Sequence, residues 1–372
     1  MDDSRARWTQ RKFYDCDIYY DRSTRTVFRR LASAKIGANE EVSSSPFFNP
    51  VAPLKVYFDP SYRCNLSCSH CITNSSPLQG GKNELPPKRI VAILDELSTI
   101  GVLEISVGGG EPLCYPDLFT ILDHARTIGL NVVLNTNGTL VTPEVASHLK
   151  ELDLSEVRVS FEGWQGIHDS IRGQGAYERA LEAVAILSRT GVVTVPRVTL
   201  CQGSEAGLER FFHDLALATV KVIKCSTVKD AGRASLAGHQ GLLFSNTVTT
   251  VIANLRELGK KYGIQVKLPS YFSNSPEEAD GGELRFNKGM NCGAGVETGY
   301  VSPCGNVHPC SSLPNITLGT LATMSFKDVW TGPVATHFRR LAFNCSCHQL
   351  CTKMKLIDTA VLSGVTRINV RA

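Results

Sequence analysis

Long apolar runs, signal-like segments and basic clusters are all missing from this sequence. No stretch approaches the roughly 18 uninterrupted apolar residues that indicate a membrane-spanning helix. The polar, acid-bearing start MDDSRARWTQRKFYDCD lacks the apolar segment that a secretory signal requires. No run of lysine or arginine marks a nucleic-acid surface. We therefore expect a cytoplasmic protein that binds neither a membrane nor nucleic acid.

Cysteine, by contrast, is abundant: the 372 residues include 13 cysteines, with a net charge of +4. In a chain without a secretory signal, thiols are more often metal ligands or catalytic groups than disulfides. Three of them stand close together at positions 64, 68 and 71, and six crowd the last quarter of the chain. The six are Cys292, Cys304, Cys310, Cys345, Cys347 and Cys351. Two separate groups indicate two metal-bearing regions.

Strand-like and helix-like segments alternate between residues 53 and 235. About six strand–helix units follow one another, from the strand LKVYFDP to the strand TVKVIKCSTV. This alternation predicts a parallel sheet with helices outside it, and six units are fewer than the eight of a closed barrel. Functional loops of such folds lie at the carboxyl ends of strands. The sequence places there the segments YRCNLSCSHC, GGGEP, NTNG, SFEG and CQGS.

The composition suggests five segments. Polar residues dominate an N-terminal extension that ends in a Ser/Pro-rich linker. The α/β core follows it, and a connecting helix and strand lead to a cysteine-rich region and a tail. The predicted segments are 1–52, 53–235, 236–286, 287–351 and 352–372.

The three thiols of Cys64, Cys68 and Cys71 lie in one predicted loop after the first core strand. Three thiolates can hold three irons of a [4Fe–4S] cluster and leave the fourth iron open to another ligand. An open metal position is typical of catalytic rather than structural sites. A partial zinc site is the alternative that the spacing alone leaves open.

The pattern Cys64-x3-Cys68-x2-Cys71 resembles the signature of the radical S-adenosylmethionine (SAM) superfamily. The segments GGGEP, NTNG, SFEG and IHDSIRG follow in the order that is typical of this family. The resemblance implies a partial (β/α)6 barrel, with SAM bound at a [4Fe–4S] cluster on the three cysteines. It also implies reductive cleavage of SAM to a 5′-deoxyadenosyl radical, which abstracts a hydrogen atom from the substrate. A flavodoxin or ferredoxin is the expected electron donor.

The same resemblance assigns the contacts to SAM. Glu111 and the backbone of the glycines before it would hold the methionine amino group, and Arg172 would meet the SAM carboxylate. Asn135 would lie near the ribose, and His70 would stack near the adenine. In SFEG a glutamate replaces the commoner aspartate of the family. The predicted cofactor-binding residues are His70, Gly109, Gly110, Glu111, Asn135, Ser160, Glu162 and Arg172.

The region 287–351 is similar to the SPASM domain and to the shorter twitch extension, which carry auxiliary iron–sulfur clusters. GYVSPCGNVHPC resembles the hairpin of such domains, but the closing run is contracted to CSCHQLC. Six thiols cannot supply two complete four-cysteine clusters, so one auxiliary [4Fe–4S] cluster is expected, and a structural zinc is the alternative. Its predicted ligands are Cys292, Cys310, Cys347 and Cys351, with Cys304 and Cys345 as substitutes.

Cys201 and Cys225 end the predicted fifth and sixth strands. A thiol at the mouth of the site could return a hydrogen atom to a substrate radical, which would make the enzyme an epimerase. Free cysteine is also a common small buried residue, so packing is the other interpretation of both positions.

The motifs do not identify the substrate. We expect a small natural product such as a sugar or aminocyclitol, with oxidation, epimerisation and decarboxylation all open. The alternative is a maturase of a ribosomally made peptide. The 52-residue extension is shorter than the winged-helix recognition domain that such maturases often carry, and this favours the small molecule. A zinc-stabilised binding module would leave the SAM-like segments unexplained.

Overall fold

The computed structural model describes residues 50–81, 83–229, 231–236, 248–268 and 293–342, together with the backbone of three strands near the N-terminus. These strands are Trp8–Phe13 (β1), Cys16–Asp21 (β2) and Thr26–Leu31 (β3). They form an antiparallel sheet in the order β1-β2-β3. The polar composition of this region predicts only an extension and a linker, so these strands were not expected from the sequence.

Six parallel strands form the centre of a ten-stranded sheet, and each pairs with the next one along the chain. This arrangement confirms the predicted α/β core with six strand–helix units. The strands are Lys55–Phe58 (β4), Glu104–Val107 (β5), Asn131–Thr136 (β6), Glu156–Phe161 (β7), Thr194–Leu200 (β8) and Val222–Thr227 (β9).

The helices between the strands have the expected apolar spacing. In the first of them, the buried residues Ile90, Ile93, Leu94 and Leu97 repeat at intervals of three and four. The helices are Pro87–Thr99 (α1), Leu118–Thr127 (α2), Pro143–Glu151 (α3), Gln165–Arg172 (α4), Ala176–Thr190 (α5), Leu208–Leu217 (α6), Arg233–Leu236 (α7) and Val248–Tyr262 (α8).

The two faces of the central sheet differ in polarity. On β7, Val157 and Val159 are fully buried in the hydrophobic core, whereas Arg158 and Ser160 line a cavity on the other face. Successive side chains of a strand point to opposite faces, so this alternation places the core on one side of the sheet. The other face is free to carry polar chemistry.

The cysteine-rich region continues the same sheet. The strand Thr298–Val301 (β11) pairs in parallel with β4, and Asn306–His308 (β12) and Gly319–Thr320 (β13) follow antiparallel to it. At the opposite edge, Gln265–Lys267 (β10) pairs in parallel with β9. The predicted hairpin in 299–310 is therefore present, but the pairing of β11 with β4 was not predicted.

After the hairpin come two short helices, Phe326–Thr331 (α9) and Pro333–Ala342 (α10). Gly332 between them has extended backbone angles, and Pro333 has no N–H group with which to continue the first helix. Among the described residues, no helix combines the length and apolar character needed to cross a bilayer.

Candidate active site

A cavity of about 480 Å³ lies at the carboxyl ends of the barrel strands. This volume is within the range of roughly 300–1,000 Å³ that is usual for ligand sites. Its wall includes the thiols of Cys64, Cys68 and Cys71 and, from the cysteine-rich region, Cys310. The cysteine loop and one cysteine of the second group therefore border on the same cavity.

The cysteine loop, residues 60–75, is clamped by its neighbours. Gly110 donates its backbone N–H to the carbonyl oxygen of Ser61 at 2.9 Å. Arg233 donates from Nε to the carbonyl oxygen of Cys68 at 2.8 Å and from a terminal nitrogen to that of Ser75 at 2.7 Å. These contacts hold in place the backbone that carries the thiols.

Two glycines of GGGEP are needed for close contact with the cysteine loop. Gly109 has a φ of 104°, which favours glycine. A Cβ atom would lie 2.3 Å from the carbonyl oxygen of Ser61 if added at Gly109, and 2.0 Å from that of Arg63 if added at Gly110. Both glycines also line the cavity, so their predicted backbone contact with SAM stays open beside this structural role.

The three thiols fit an iron–sulfur cluster by their chemistry. Burial raises the pKa of Cys64 to about 12, and the charge of Glu111 adds to the effect. Burial also raises the pKa of Cys68, against the lowering charge of Arg172. Cluster binding must therefore displace protons. No three His, Cys, Asp or Glu side chains of the described ranges converge on a single ion, whereas a four-iron cluster takes its cysteines on separate irons.

Glu111 connects two loops beneath the cavity. It is 2% exposed and accepts hydrogen bonds from Thr136 Oγ1 at 2.7 Å, the Asn137 N–H at 2.7 Å and the Leu113 N–H at 3.2 Å. Burial raises the pKa of Glu111 despite these bonds. The carboxylate thus holds NTNG against GGGEP, and its predicted contact with the SAM amine stays a prediction.

Glu111→Ala is expected to lower the free energy of unfolding by about 2–5 kcal/mol. The change leaves the Thr136 hydroxyl and the Asn137 N–H buried without an acceptor, and each such group costs about 1–3 kcal/mol. Chemical denaturation of the metal-free protein measures the effect, with Glu111→Gln as the matched control that keeps one acceptor oxygen. Equal stability of the alanine and glutamine variants would contradict this role.

Glu162 lies at the centre of a buried ionic network. It is fully buried, and its two oxygens accept hydrogen bonds of 2.6 Å each from Nε and a terminal nitrogen of Arg172. His70 Nε2 lies 3.0 Å from Oε1, and His168 Nδ1 lies 3.3 Å from Oε2. Burial alone would raise the pKa of Glu162, but Arg172 and His70 hold it well below its usual range.

This network positions residues that reach the cavity. Arg172 and His70 line the cavity, whereas Glu162 is not among its lining residues. The predicted contact of Arg172 with the SAM carboxylate is compatible with that place. Glu162 orients these two side chains, and its own predicted contact with SAM stays a prediction. Burial lowers the pKa of His168 to about 4, so this imidazole is neutral near pH 7.

Asn135 lies on β6 and Ser160 lies on β7, and both line the cavity. This is the place expected for residues near the carboxyl ends of parallel strands. Asn135 Nδ2 donates to Ser106 Oγ and to the carbonyl oxygen of Val107, both at 2.9 Å. Its amide nitrogen is therefore held by the neighbouring strand β5. The predicted roles of both residues toward SAM remain predictions.

The two candidate hydrogen donors lie in different surroundings. Cys225 is 1% exposed and belongs to the main hydrophobic core, although it also touches the cavity wall. Cys201 is 3% exposed, packs with Ile171 and Val228, and lies 3.4 Å from Ser204 Oγ. It is absent from the described cavity wall. Packing accounts for Cys201, and the donor role of either thiol remains a prediction.

Of the predicted auxiliary ligands, Cys310 is described. It borders the cavity, and its sulfur accepts the backbone N–H of Ser312 at 3.4 Å. Cys304, a predicted substitute, lies 3.3 Å from Ser302 Oγ. The other predicted ligands and the second substitute lie outside the described residues: Cys292, Cys345, Cys347 and Cys351.

An aspartate at the cavity and the tyrosine that is hydrogen-bonded to it were not predicted from the sequence. Asp59 directly follows β4 and lines the cavity, and Tyr300 of β11 donates to it at 2.8 Å. The rule that active residues follow barrel strands would have found Asp59 in the segment FDPSYRC. Tyr300 carried no such signal, since the pairing of β11 with β4 is a long-range contact.

Comparison with known proteins agrees with this geometry. The family model of the radical SAM superfamily matches residues 59–211, and that of the SPASM iron–sulfur cluster-binding domain matches residues 292–353. Mycofactocin maturase MftC of Mycobacterium tuberculosis (strain CDC 1551 / Oshkosh) is 28% identical over 295 residues, which cover 75% of this chain and 70% of that protein. The AdoMet-dependent heme synthase of Methanosarcina barkeri (strain Fusaro / DSM 804) is 28% identical over 310 residues, with coverages of 78% and 85%.

A solved structure has the same fold. Streptococcus suis SuiB, in its crystal structure bound to precursor peptide SuiA, aligns with a TM-score of 0.69 at 14% identity, and the alignment covers 95% of this chain and 96% of SuiB. The two family matches confirm the cofactors expected from the sequence, SAM and iron–sulfur clusters. The chain therefore belongs to the radical SAM superfamily, as an enzyme with a C-terminal SPASM domain.

Proposed function

We propose that this radical SAM enzyme is a maturase that oxidises a ribosomally synthesised precursor peptide. The observation that carries the proposal is the antiparallel sheet β1-β2-β3, which precedes the barrel in the chain. A sheet edge can take up an extended peptide as a further strand, so that main-chain hydrogen bonds supply affinity. The short length of this segment argued against a maturase, and its three strands weaken that objection.

The relatives support the same choice over a small sugar-like substrate. MftC is named a maturase. The likeness to SuiB, whose complex contains its precursor peptide, extends over 95% of this chain and concerns the fold. Each of these substrates belongs to the relative, and its transfer to this chain is our inference.

The described residues suit an oxidation. When bound, SAM and the cluster on Cys64, Cys68 and Cys71 supply the 5′-deoxyadenosyl radical. The clamped cysteine loop and the network around Arg172 would hold SAM against the cavity. Cys310 borders the same cavity, so an electron that leaves the substrate has a short route to the auxiliary site. We propose a flavodoxin or ferredoxin as the electron donor for SAM cleavage.

A heme-type substrate is the second candidate. One relative is named a heme synthase, and the cavity wall carries more cationic than acidic side chains. Lys55, Arg158 and Arg172 pair with the carboxylates of Glu104, Glu156 and Glu162, so only part of this positive charge is available to an anionic ligand. The cations are Lys55, Arg158, Arg172, Arg197, Lys229 and Arg233, and the acids are Asp59 and Glu297.

The test begins with a search of the neighbouring genes for a short precursor peptide and continues with a reaction of that peptide. We expect the anaerobically reconstituted, reduced protein to change the mass of this peptide only when SAM is present. A shuffled peptide of the same composition is the control. An unchanged precursor peptide together with consumption of an iron–porphyrin substrate would replace the maturase by the second candidate.

A further inference from the structure

Asp59 is a buried carboxyl group that faces the cavity. It is 6% exposed and follows β4, next to the glycines that begin GGGEP. Its Oδ2 accepts a hydrogen bond of 2.8 Å from the Tyr300 hydroxyl. A Cβ atom at Gly108 would lie 3.3 Å from Oδ1, so the absence of a side chain there leaves space beside the second oxygen. Gly108 itself lines the cavity.

Two tyrosine hydroxyls form a chain that ends on this carboxylate. The Tyr62 hydroxyl lies 2.7 Å from the Tyr300 hydroxyl. An ionised carboxylate only accepts hydrogen bonds, so the single hydroxyl proton of Tyr300 points to Asp59 and Tyr62 must donate to Tyr300. The chain links the cysteine loop, the SPASM strand β11 and the end of β4. It orients Asp59 and occupies one of its two oxygens.

The surroundings of Asp59 bring the pKa of its carboxyl group close to neutral pH. Burial raises the pKa of Asp59 to about 7, even though the hydrogen bond from Tyr300 acts to lower it. No cation of the described residues contributes to this pKa. The groups that face it are Tyr300 from β11, Tyr62 from the cysteine loop and the uncharged Gly108 and Gly109 after β5. A carboxyl group of this kind is suited to accept a proton near the working pH.

We propose that Asp59 is the proton acceptor of the oxidation, oriented by Tyr300. This inference rests on the proposed function as a two-electron oxidation. The 5′-deoxyadenosyl radical takes a hydrogen atom from a substrate carbon that bears an N–H or O–H group. The N–H or O–H bond then breaks, and its proton goes to the free Oδ1 of Asp59. Two of the three electrons left by the carbon radical and the broken bond form the new C=N or C=O bond. The third reduces the auxiliary iron–sulfur cluster.

Infrared titration of the reconstituted protein without substrate tests the acceptor itself. In a titration from about pH 5 to about pH 9, we expect the band of a protonated carboxyl group to disappear near pH 7 as the group loses its proton. Asp59→Asn should remove this band, and Tyr300→Phe should move its midpoint to higher pH, since the lost hydrogen bond favoured the ionised form. Asp123→Asn, on the exposed face of α2, is the matched control and should leave the band in place. If Asp59→Asn removes no titrating band, the proposal is wrong.

Turnover of the precursor peptide tests the role in the reaction. Asp59→Asn should lower the yield of product per 5′-deoxyadenosine by about 10²-fold or more, because the proton has lost its acceptor. Tyr300→Phe should cause a smaller loss of yield and shift the pH profile of that yield to higher pH. An unchanged yield in Asp59→Asn would overturn the proposal. If the wild-type protein does not modify the peptide, the proposed function fails, and the infrared titration alone decides whether Asp59 can take the proton.

Discussion

Replacing Cys64, Cys68 and Cys71 together by alanine is expected to abolish SAM cleavage and to remove about half of the iron. Two [4Fe–4S] clusters bring the wild-type protein to about eight irons per chain, and the variant keeps about four in the auxiliary site. Without the first cluster, no electron reaches SAM. Iron analysis and detection of 5′-deoxyadenosine after anaerobic reconstitution and reduction measure both effects.

Cys114→Ala is the matched control for this variant. Cys114 follows GGGEP closely and is partly exposed, but it is absent from the described cavity wall. Its loss should leave both the iron content and SAM cleavage near those of the wild type. Zinc in place of iron after reconstitution, or full iron content in the triple variant, would contradict the assignment of the three thiols.

Glu162→Ala is expected to lower the free energy of unfolding by about 3–5 kcal/mol, because it leaves the buried Arg172 without its partner. The pKa of Glu162 lies below its ordinary value of 4.5. The stabilisation is therefore fully present above about pH 5 and is lost as the pH falls through the pKa of the folded state. Denaturation of the metal-free proteins at about pH 7 and about pH 4 measures this difference.

A double-mutant cycle separates the ion pair from simple loss of packing. The variant with both Glu162→Ala and Arg172→Ala should be less destabilised than the sum of the two single variants, because no unpaired charge stays buried. SAM affinity should fall in all three variants, since Arg172 lines the cavity. Additive losses in the cycle would show that the two residues stabilise the fold independently.

The barrel and its loops were predictable because each depends on local sequence. The alternating apolar patterns predict the positions of β4 to β9. Functional residues of such folds lie near the carboxyl ends of the strands, and Asn135 and Ser160 are found there, on the cavity wall. The thiol spacing within one loop predicts that Cys64, Cys68 and Cys71 share a site. These features need no knowledge of contacts between distant residues.

Long-range contacts explain what the sequence did not reveal. The parallel pairing of β11 with β4 joins positions about 240 residues apart, as in Tyr300 with Tyr57, and a parallel pair has no local turn signal. The direction in which a side chain points was the other feature that could not be predicted from the sequence. A glutamate after a strand can face the cavity or the loops beneath it, and Glu111 and Glu162 bind protein groups instead of lining the cavity.

The most direct test of peptide oxidation by this enzyme is transfer of deuterium from the substrate. The precursor peptide is deuterated at its carbon-bound positions and allowed to react with the reduced protein and SAM, and 5′-deoxyadenosine is analysed by mass spectrometry. We expect one deuterium in 5′-deoxyadenosine and a peptide product that has lost two electrons, with no solvent hydrogen fixed at the reacting carbon. Unlabelled 5′-deoxyadenosine beside an unchanged peptide would contradict the proposed function.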